Sequence, residues 1–142
     1  MKAVIIEDEE IIAGVLKSKI SKVAEDVDVV TVLPSLKTAR KWLSENAEPD
    51  LMFMDIQLSD GVSFDIFNHF TLSCPVIFTT AYDEYAVRAF RVNGADYLLK
   101  PVDRKELLDC IMQFKDRKQK TNLIDRLEEI MYEPKDSTKL RI

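Results

Sequence analysis

The residues best suited to chemistry in this chain stand at the ends of short apolar runs. Asp55 closes Leu51-Met52-Phe53-Met54, and Glu7-Asp8 closes Ala3-Val4-Ile5-Ile6. Two more runs end on groups of complementary kind: Thr79-Thr80 after Val76-Ile77-Phe78, and Lys100-Pro101 after Tyr97-Leu98-Leu99. Continuous apolar runs of this length suit strands buried on both faces. In a parallel α/β sheet the carboxyl ends of the strands share one edge, and ligands bind there. If the four ends converge, three carboxylates, a hydroxyl and an ammonium meet at one point. Clustered carboxylates repel one another, and a hard divalent cation, Mg2+ or Mn2+, is their natural counterion. A carboxylate nucleophile beside such a cation, an ammonium and a hydroxyl suits phosphoryl transfer. The carboxylate oxygen attacks in line, while the positive groups offset charge on the equatorial oxygens.

The intervening segments supply the frame. Ile11, Ile12, Val15, Leu16, Ile20 and Val23 recur at helical spacing. Residues 27–32 read as a second strand, and Ser35 as the cap of a helix carrying Leu36, Ala39, Trp42 and Leu43. Trp42 is expected to pack that helix on the sheet. The third strand is 51–55, and Asp60-Gly61 is a turn signal. A short helix near 63–70 precedes a strand at 76–80. A helix at 83–93 stops at Asn93-Gly94. After a strand at 97–99, Asp103 caps a helix carrying Leu107, Leu108, Ile111, Met112 and Phe114. Five βα units in succession predict a parallel sheet with right-handed crossovers and helices on both faces.

Composition bounds the function classes. A net charge of -5 argues against nucleic-acid binding by this segment alone. No apolar run approaches the roughly 20 residues of a membrane span, and the acidic start does not read as a signal peptide. Cys74 and Cys110 have no metal-type spacing and suggest no disulfide framework, which favours a reducing, cytoplasmic setting. His69, the single histidine, reads as a surface residue. Beyond residue 118 a helical stripe of Leu123, Ile124, Leu127, Ile130 and Met131 runs to Pro134. Residues 133–138 then read as a linker, and Lys139-Leu140-Arg141-Ile142 alternates like the start of a strand in a following domain.

The ordered set Glu7-Asp8, Asp55, Thr80 and Lys100-Pro101, with its strand contexts, resembles a bacterial response regulator receiver domain over about residues 2–118. The resemblance implies a flavodoxin-like (βα)5 doubly wound sheet of order 2-1-3-4-5. It implies that Asp55 accepts a phosphoryl group from the phosphohistidine of a sensor histidine kinase. Glu7, Asp8, Asp55 and the backbone carbonyl of Gln57 would hold Mg2+. Thr80 and Lys100 would bind phosphoryl oxygens, Thr80 and Tyr97 would act as the switch pair, and the Lys100–Pro101 bond would be cis. Catalysis would be confined to the protein's own phosphorylation and dephosphorylation. The mixed charges of the 83–118 face suit a homodimer formed on phosphorylation. The wording Phe78-Thr79-Thr80-Ala81-Tyr82-Asp83-Glu84-Tyr85-Ala86, with Asp96-Tyr97-Leu98-Leu99-Lys100-Pro101, is similar to receivers joined to LytTR-type DNA-binding domains. On that reading 1–118 is the receiver, and 119–142 leads to an output domain that alone would touch DNA and control transcription. A haloacid-dehalogenase-type phosphatase also uses an aspartate nucleophile with Mg2+. It carries that aspartate on its first strand and a second aspartate two residues on, where Gln57 stands here. A pseudo-receiver that binds without phosphorylation is the third reading, and the intact residue set argues against it.

Overall fold

The structure is a computed structural model that describes residues 1–82 and 95–131. The helix expected at 83–93 with its stop at Asn93-Gly94, the linker at 133–138 and the strand-like tail lie outside these residues. So do the side chains of Leu123, Ile124, Ile130 and Met131. In chain order the elements are β1 (Lys2–Ile6), α1 (Glu10–Val23), β2 (Asp28–Leu33), α2 (Leu36–Glu45) and β3 (Leu51–Asp55). A small hairpin follows, β4 (Gln57–Leu58) and β5 (Gly61–Val62), then a 3-10 helix (Ser63–Asn68). β6 (Val76–Thr80), β7 (Ala95–Leu99) and α3 (Arg104–Met131) complete the described chain.

Five strands form one sheet in the order β2-β1-β3-β6-β7, and every neighbouring pair is parallel. With the hairpin set apart, this is the expected 2-1-3-4-5 doubly wound order. The reason lies in the apolar runs. β1 from Ala3 to Ile6 and β3 from Leu51 to Met54 are inaccessible to solvent, which only central strands covered on both faces can be. β2 alternates, with Val30 and Val32 exposed, because it is an edge. One face of the sheet (Val4, Ile6, Met52, Met54, Val76 and Phe78) packs with Leu36 and Ala39 of α2 and Phe64 and Ile66 of the 3-10 helix. Trp42 packs against this cluster, as expected. Cys74 belongs to it as well, and burial pushes its thiol pKa up to about 12.

The caps are local. Ser35 Oγ accepts the Thr38 N–H at 3.1 Å, and the Thr38 hydroxyl oxygen accepts the Ser35 N–H at 3.1 Å, a reciprocal capping box. Asp103 accepts the Glu106 N–H at the start of α3. α3 continues unbroken through 118 to Met131, so the stripe beyond 118 extends the last helix. The chain divides into two compact units, Met1–Cys110 and Ile111–Ile142. Among the described residues, no helix is long and apolar enough to cross a membrane.

Two expectations are refined. The segment near 63–70 is a six-residue 3-10 helix. The turn at Asp60-Gly61 closes a hairpin in which Gln57 pairs with Val62 and Leu58 with Gly61. Gly61 has φ +143, and a Cβ there would stand 2.9 Å from Leu36 Cδ1. Gly61→Ala is therefore expected to cost about 1–3 kcal/mol through backbone strain and crowding. Urea denaturation measures this, and an unchanged midpoint would contradict the close approach.

Candidate functional site

The acids converge because they occupy the carboxyl ends of adjacent central strands. β1 pairs directly with β3, so Glu7 and Asp8, following Ile6, stand beside Asp55. Carboxylate oxygens of Glu7, Asp8 and Asp55 lie within 4.8 Å of one another. Glu7 and Asp55 are buried, and Asp8 is half-buried. Lys100 reaches in from the end of β7, with Nζ 2.6 Å from Glu7 Oε1 and 3.1 Å from Asp55 Oδ2. The other Glu7 oxygen, Oε2, accepts the Glu9 N–H at 3.3 Å, which fixes the carboxylate at the entrance of α1.

The electrostatics follow from this crowding. Asp8 is held above the usual carboxylate range, first by burial and then by its hydrogen bond to Glu7 and the Glu7 charge. The backbone amides of Asp8 itself and of Ser59 act in the opposite sense. Burial alone would depress the Lys100 ammonium. Its hydrogen bond to Glu7 and the Asp55 charge outweigh that, and its pKa is raised. An oxygen-rich cluster with excess negative charge fits a hard divalent cation. The group of three acids could hold one.

Thr80 ends β6 and is buried, and its Oγ1 accepts the Tyr82 N–H at 3.2 Å. It stands two residues after Phe78 and so shares the sheet face of Phe78, against which Tyr97 lies in register on β7. The Tyr97 hydroxyl donates to the Tyr82 carbonyl. Thr79 takes the opposite face, and its carbonyl accepts the Ile56 N–H just after Asp55. Gln57 opens β4, two residues past Asp55. The Lys100–Pro101 peptide is cis. His69 is exposed near Asp65, and Cys110 is a buried thiol that donates to Asp96.

One wall of the site was not read from the sequence. Ile12, Val15 and Leu16 of α1 line a groove with Pro101 and Val102 that opens beside Glu7, Thr79 and Lys100. Lys19 Nζ donates to the Val102 carbonyl at 2.7 Å, tying α1 to the segment that follows Lys100. Ile11 is 82% exposed and Val15 49%, so the apolar spacing of α1 serves two directions and not the core alone. The signal was present as a stripe too wide for one buried face.

The fold and the acidic edge define a doubly wound α/β domain of the receiver type. The chain belongs to the response regulator receiver domain family, whose model matches residues 3–112. It is 35% identical over 133 residues to the sensory transduction protein LytT of Bacillus anthracis, covering 92% of this chain and 52% of that one. It is 29% identical over 129 residues to the sensory transduction protein LytR of Staphylococcus epidermidis, covering 89% and 50%. The chain thus spans about half the length of the curated relatives it matches. Its fold matches the response regulatory domain of protein mrkE from Klebsiella pneumoniae, with a TM-score of 0.74 at 24% identity over 84% of this chain and 99% of that one. It likewise matches a response regulator receiver domain protein from Clostridium thermocellum, with a TM-score of 0.70 at 26% identity over 83% and 96%.

A charge prediction follows for Asp8. A carboxylate whose folded pKa is raised binds protons more readily when folded, so stability falls as pH rises from its unfolded value of 3.8 through the folded one. Asp8→Asn removes that loss. In EDTA at pH 7 the variant is expected to melt above the parent, with the advantage shrinking as pH falls toward 3.8. Equal melting temperatures at pH 7 would contradict this account.

Proposed function

We propose that Asp55 accepts a phosphoryl group from the phosphohistidine of a sensor histidine kinase in a Mg2+-dependent reaction, and that this switches the 83–118 face to control an output domain. The observation that carries the reading is the Lys100 ammonium, held at once on Asp55 and on Glu7 of the acid cluster. An Asp55 oxygen attacks phosphorus, the P–N bond of the donor breaks, and the imidazole leaves with the bond's electron pair. The product is an acyl phosphate on Asp55. Glu7, Asp8, Asp55 and the Gln57 carbonyl would hold Mg2+, which would supply positive charge to the transferring oxygens. Lys100 would donate to one of those oxygens and Thr80 to another. The groove beside α1 offers a protein donor an apolar seat next to a buried acceptor.

Two contacts support a switch. The Thr80 hydroxyl and the Tyr97 hydroxyl both engage the backbone of Tyr82, one at its N–H and the other at its carbonyl. If Thr80 turns to a phosphoryl oxygen it gives up the Tyr82 N–H, and the support of Tyr97 changes with it. Phosphorylation would thereby shift a two-state equilibrium by a local electrostatic event. We assign residues 1–118 to the receiver and 119–142 to the approach to an output domain, by likeness to LytT and LytR a LytTR-type DNA-binding one that regulates transcription in the cytoplasm. The protein would turn over no substrate but its own phosphoryl group.

Acetyl phosphate with Mg2+ is expected to add one phosphoryl group to the parent, seen by mass spectrometry. Asp55→Asn should add none while keeping the parent's far-ultraviolet circular dichroism. Sustained turnover of many equivalents of acetyl phosphate would instead favour a phosphatase. Beryllofluoride with Mg2+ is expected to raise the sedimentation coefficient by forming a homodimer through the 83–118 face. Unchanged sedimentation would remove dimerisation from the mechanism of this segment.

A further inference from the structure

The hairpin after Asp55 is too small to hold its own shape. It has two residue pairs, and isolated two-stranded hairpins are marginal even when longer. Its base is tied to the sheet. The Ile56 N–H donates to Thr79 at 3.1 Å, the Ser63 N–H donates to Ile56 at 2.8 Å, and the Leu58 side chain is buried. Its tip is tied elsewhere. Asp60 Oδ1 accepts the Leu36 N–H at 2.9 Å, and Oδ2 accepts the Lys37 N–H at 3.1 Å. Both carboxylate oxygens thus grip the first turn of α2, more than 20 residues earlier in the chain.

α2 has its own local cap. Ser35 accepts the Thr38 N–H, and the Lys37 N–H is exposed where water can also reach it. The Asp60 contact ties the hairpin tip to this turn by two bonds, one of them to the part-buried Leu36 N–H. Gly61, next in the chain, has φ +143, and a Cβ added there would stand 2.9 Å from Leu36 Cδ1. At its base the hairpin adjoins the acid cluster, since Gln57 opens β4 two residues past Asp55. The hairpin thus runs from beside Asp55 of the candidate metal site to the start of α2.

We propose that Asp60 is a positioning residue for the phosphoryl-acceptor site: by clamping the tip of the Gln57–Val62 hairpin to the first turn of α2, it fixes the backbone of Gln57 beside Glu7, Asp8 and Asp55. This rests on the reading of those acids as a Mg2+ site. Asp60 touches neither cation nor phosphoryl group and acts only through the hairpin.

The test uses this chain and three substitutions. Asp60→Ala removes both acceptor oxygens, Asp60→Asn keeps one, and Ser35→Ala removes only the local cap of α2. Mg2+ affinity is measured by calorimetry on the unphosphorylated protein. Residues that orient metal ligands typically change affinity by about tenfold or more, and Asp60→Ala is expected to weaken Mg2+ by about tenfold. Asp60→Asn should recover part of that loss, and Ser35→Ala should stay within about twofold of the parent. The Mg2+ half-saturation for acetyl phosphate uptake should move with the calorimetric value, while the rate at saturating Mg2+ stays near the parent's. Parental Mg2+ affinity in Asp60→Ala would overturn the inference. An equal loss in Ser35→Ala would overturn it too, since the effect would then belong to α2. Should Asp60→Ala fail to fold, Asp60→Asn against Ser35→Ala decides by the same criterion. A parent that binds Mg2+ but takes up no phosphoryl group would overturn the phosphorylation reading alone. A parent that binds no Mg2+ would overturn both.

Discussion

The structure depends on holding like charges together. Three carboxylates lie within 4.8 Å of one another, and one ammonium reaches two of them. With all four groups ionised, three negative charges less one positive leave an excess of two. At an effective dielectric constant of about 20, two like charges at that separation repel by roughly 3 kcal/mol. Such repulsion is a sizeable fraction of a domain's net stability of about 5–15 kcal/mol. The central strands hold the cluster against it. β1 and β3 are buried along the runs that lead to Glu7, Asp8 and Asp55, so separating the acids would mean breaking the best-packed part of the sheet. The arrangement is thus primed for a positive charge, and the residues that bear the electrostatic cost are those proposed to do the chemistry.

The same geometry explains the division of labour along the carboxyl edge. The central strands β1, β3 and β6 carry the acids and the hydroxyl, while the edge strand β7 carries the ammonium. Groups on central strands are fixed by neighbours on both sides. Groups at the end of an edge strand have a neighbour on one side only and can respond. Lys100 reaches back across the edge to the acids, and Tyr97, three residues earlier on β7, reaches Tyr82. A change at Asp55 can therefore be felt on β7 without moving β1 or β3.

Much of this was legible in the sequence, for a physical reason. Strands buried on both faces are written as continuous apolar runs, and a run has an end. Asp55 after Met54, Glu7 after Ile6 and Lys100 after Leu99 could be placed at one edge as soon as the alternation of strands and helices was recognised. The hairpin was not legible, because two residues per strand have no periodicity and Asp60-Gly61 reads only as a turn. Neither was the grip of Asp60 on α2, which joins residues far apart in sequence through backbone amides that leave no compositional trace. The outward face of α1 was hidden in its spacing. Ile11, Ile12, Val15 and Leu16 all fit a helix stripe, but only Leu16 of these four is buried. The 63–70 segment was legible as a short helix but not as a 3-10 one, since the two buried side chains Phe64 and Ile66 suit either type.

Burial of the proposed acceptor and response of the proposed readout make opposite demands, and Tyr82 would reconcile them. Asp55 has to be sheltered, because a low-dielectric surrounding strengthens its interactions with Lys100 and with any bound cation. A sheltered group cannot signal by direct contact with a partner. Thr80 is also buried, but it bonds to the N–H of Tyr82, whose side chain is half-exposed and whose carbonyl receives Tyr97. Two hydrogen bonds at one residue thus lead from the interior of the sheet edge to its surface. Each is worth about 1 kcal/mol net, small enough for a new charge at Asp55 to outweigh. Coupling built from contacts of that size can be reversed when the charge is removed, as a switch requires.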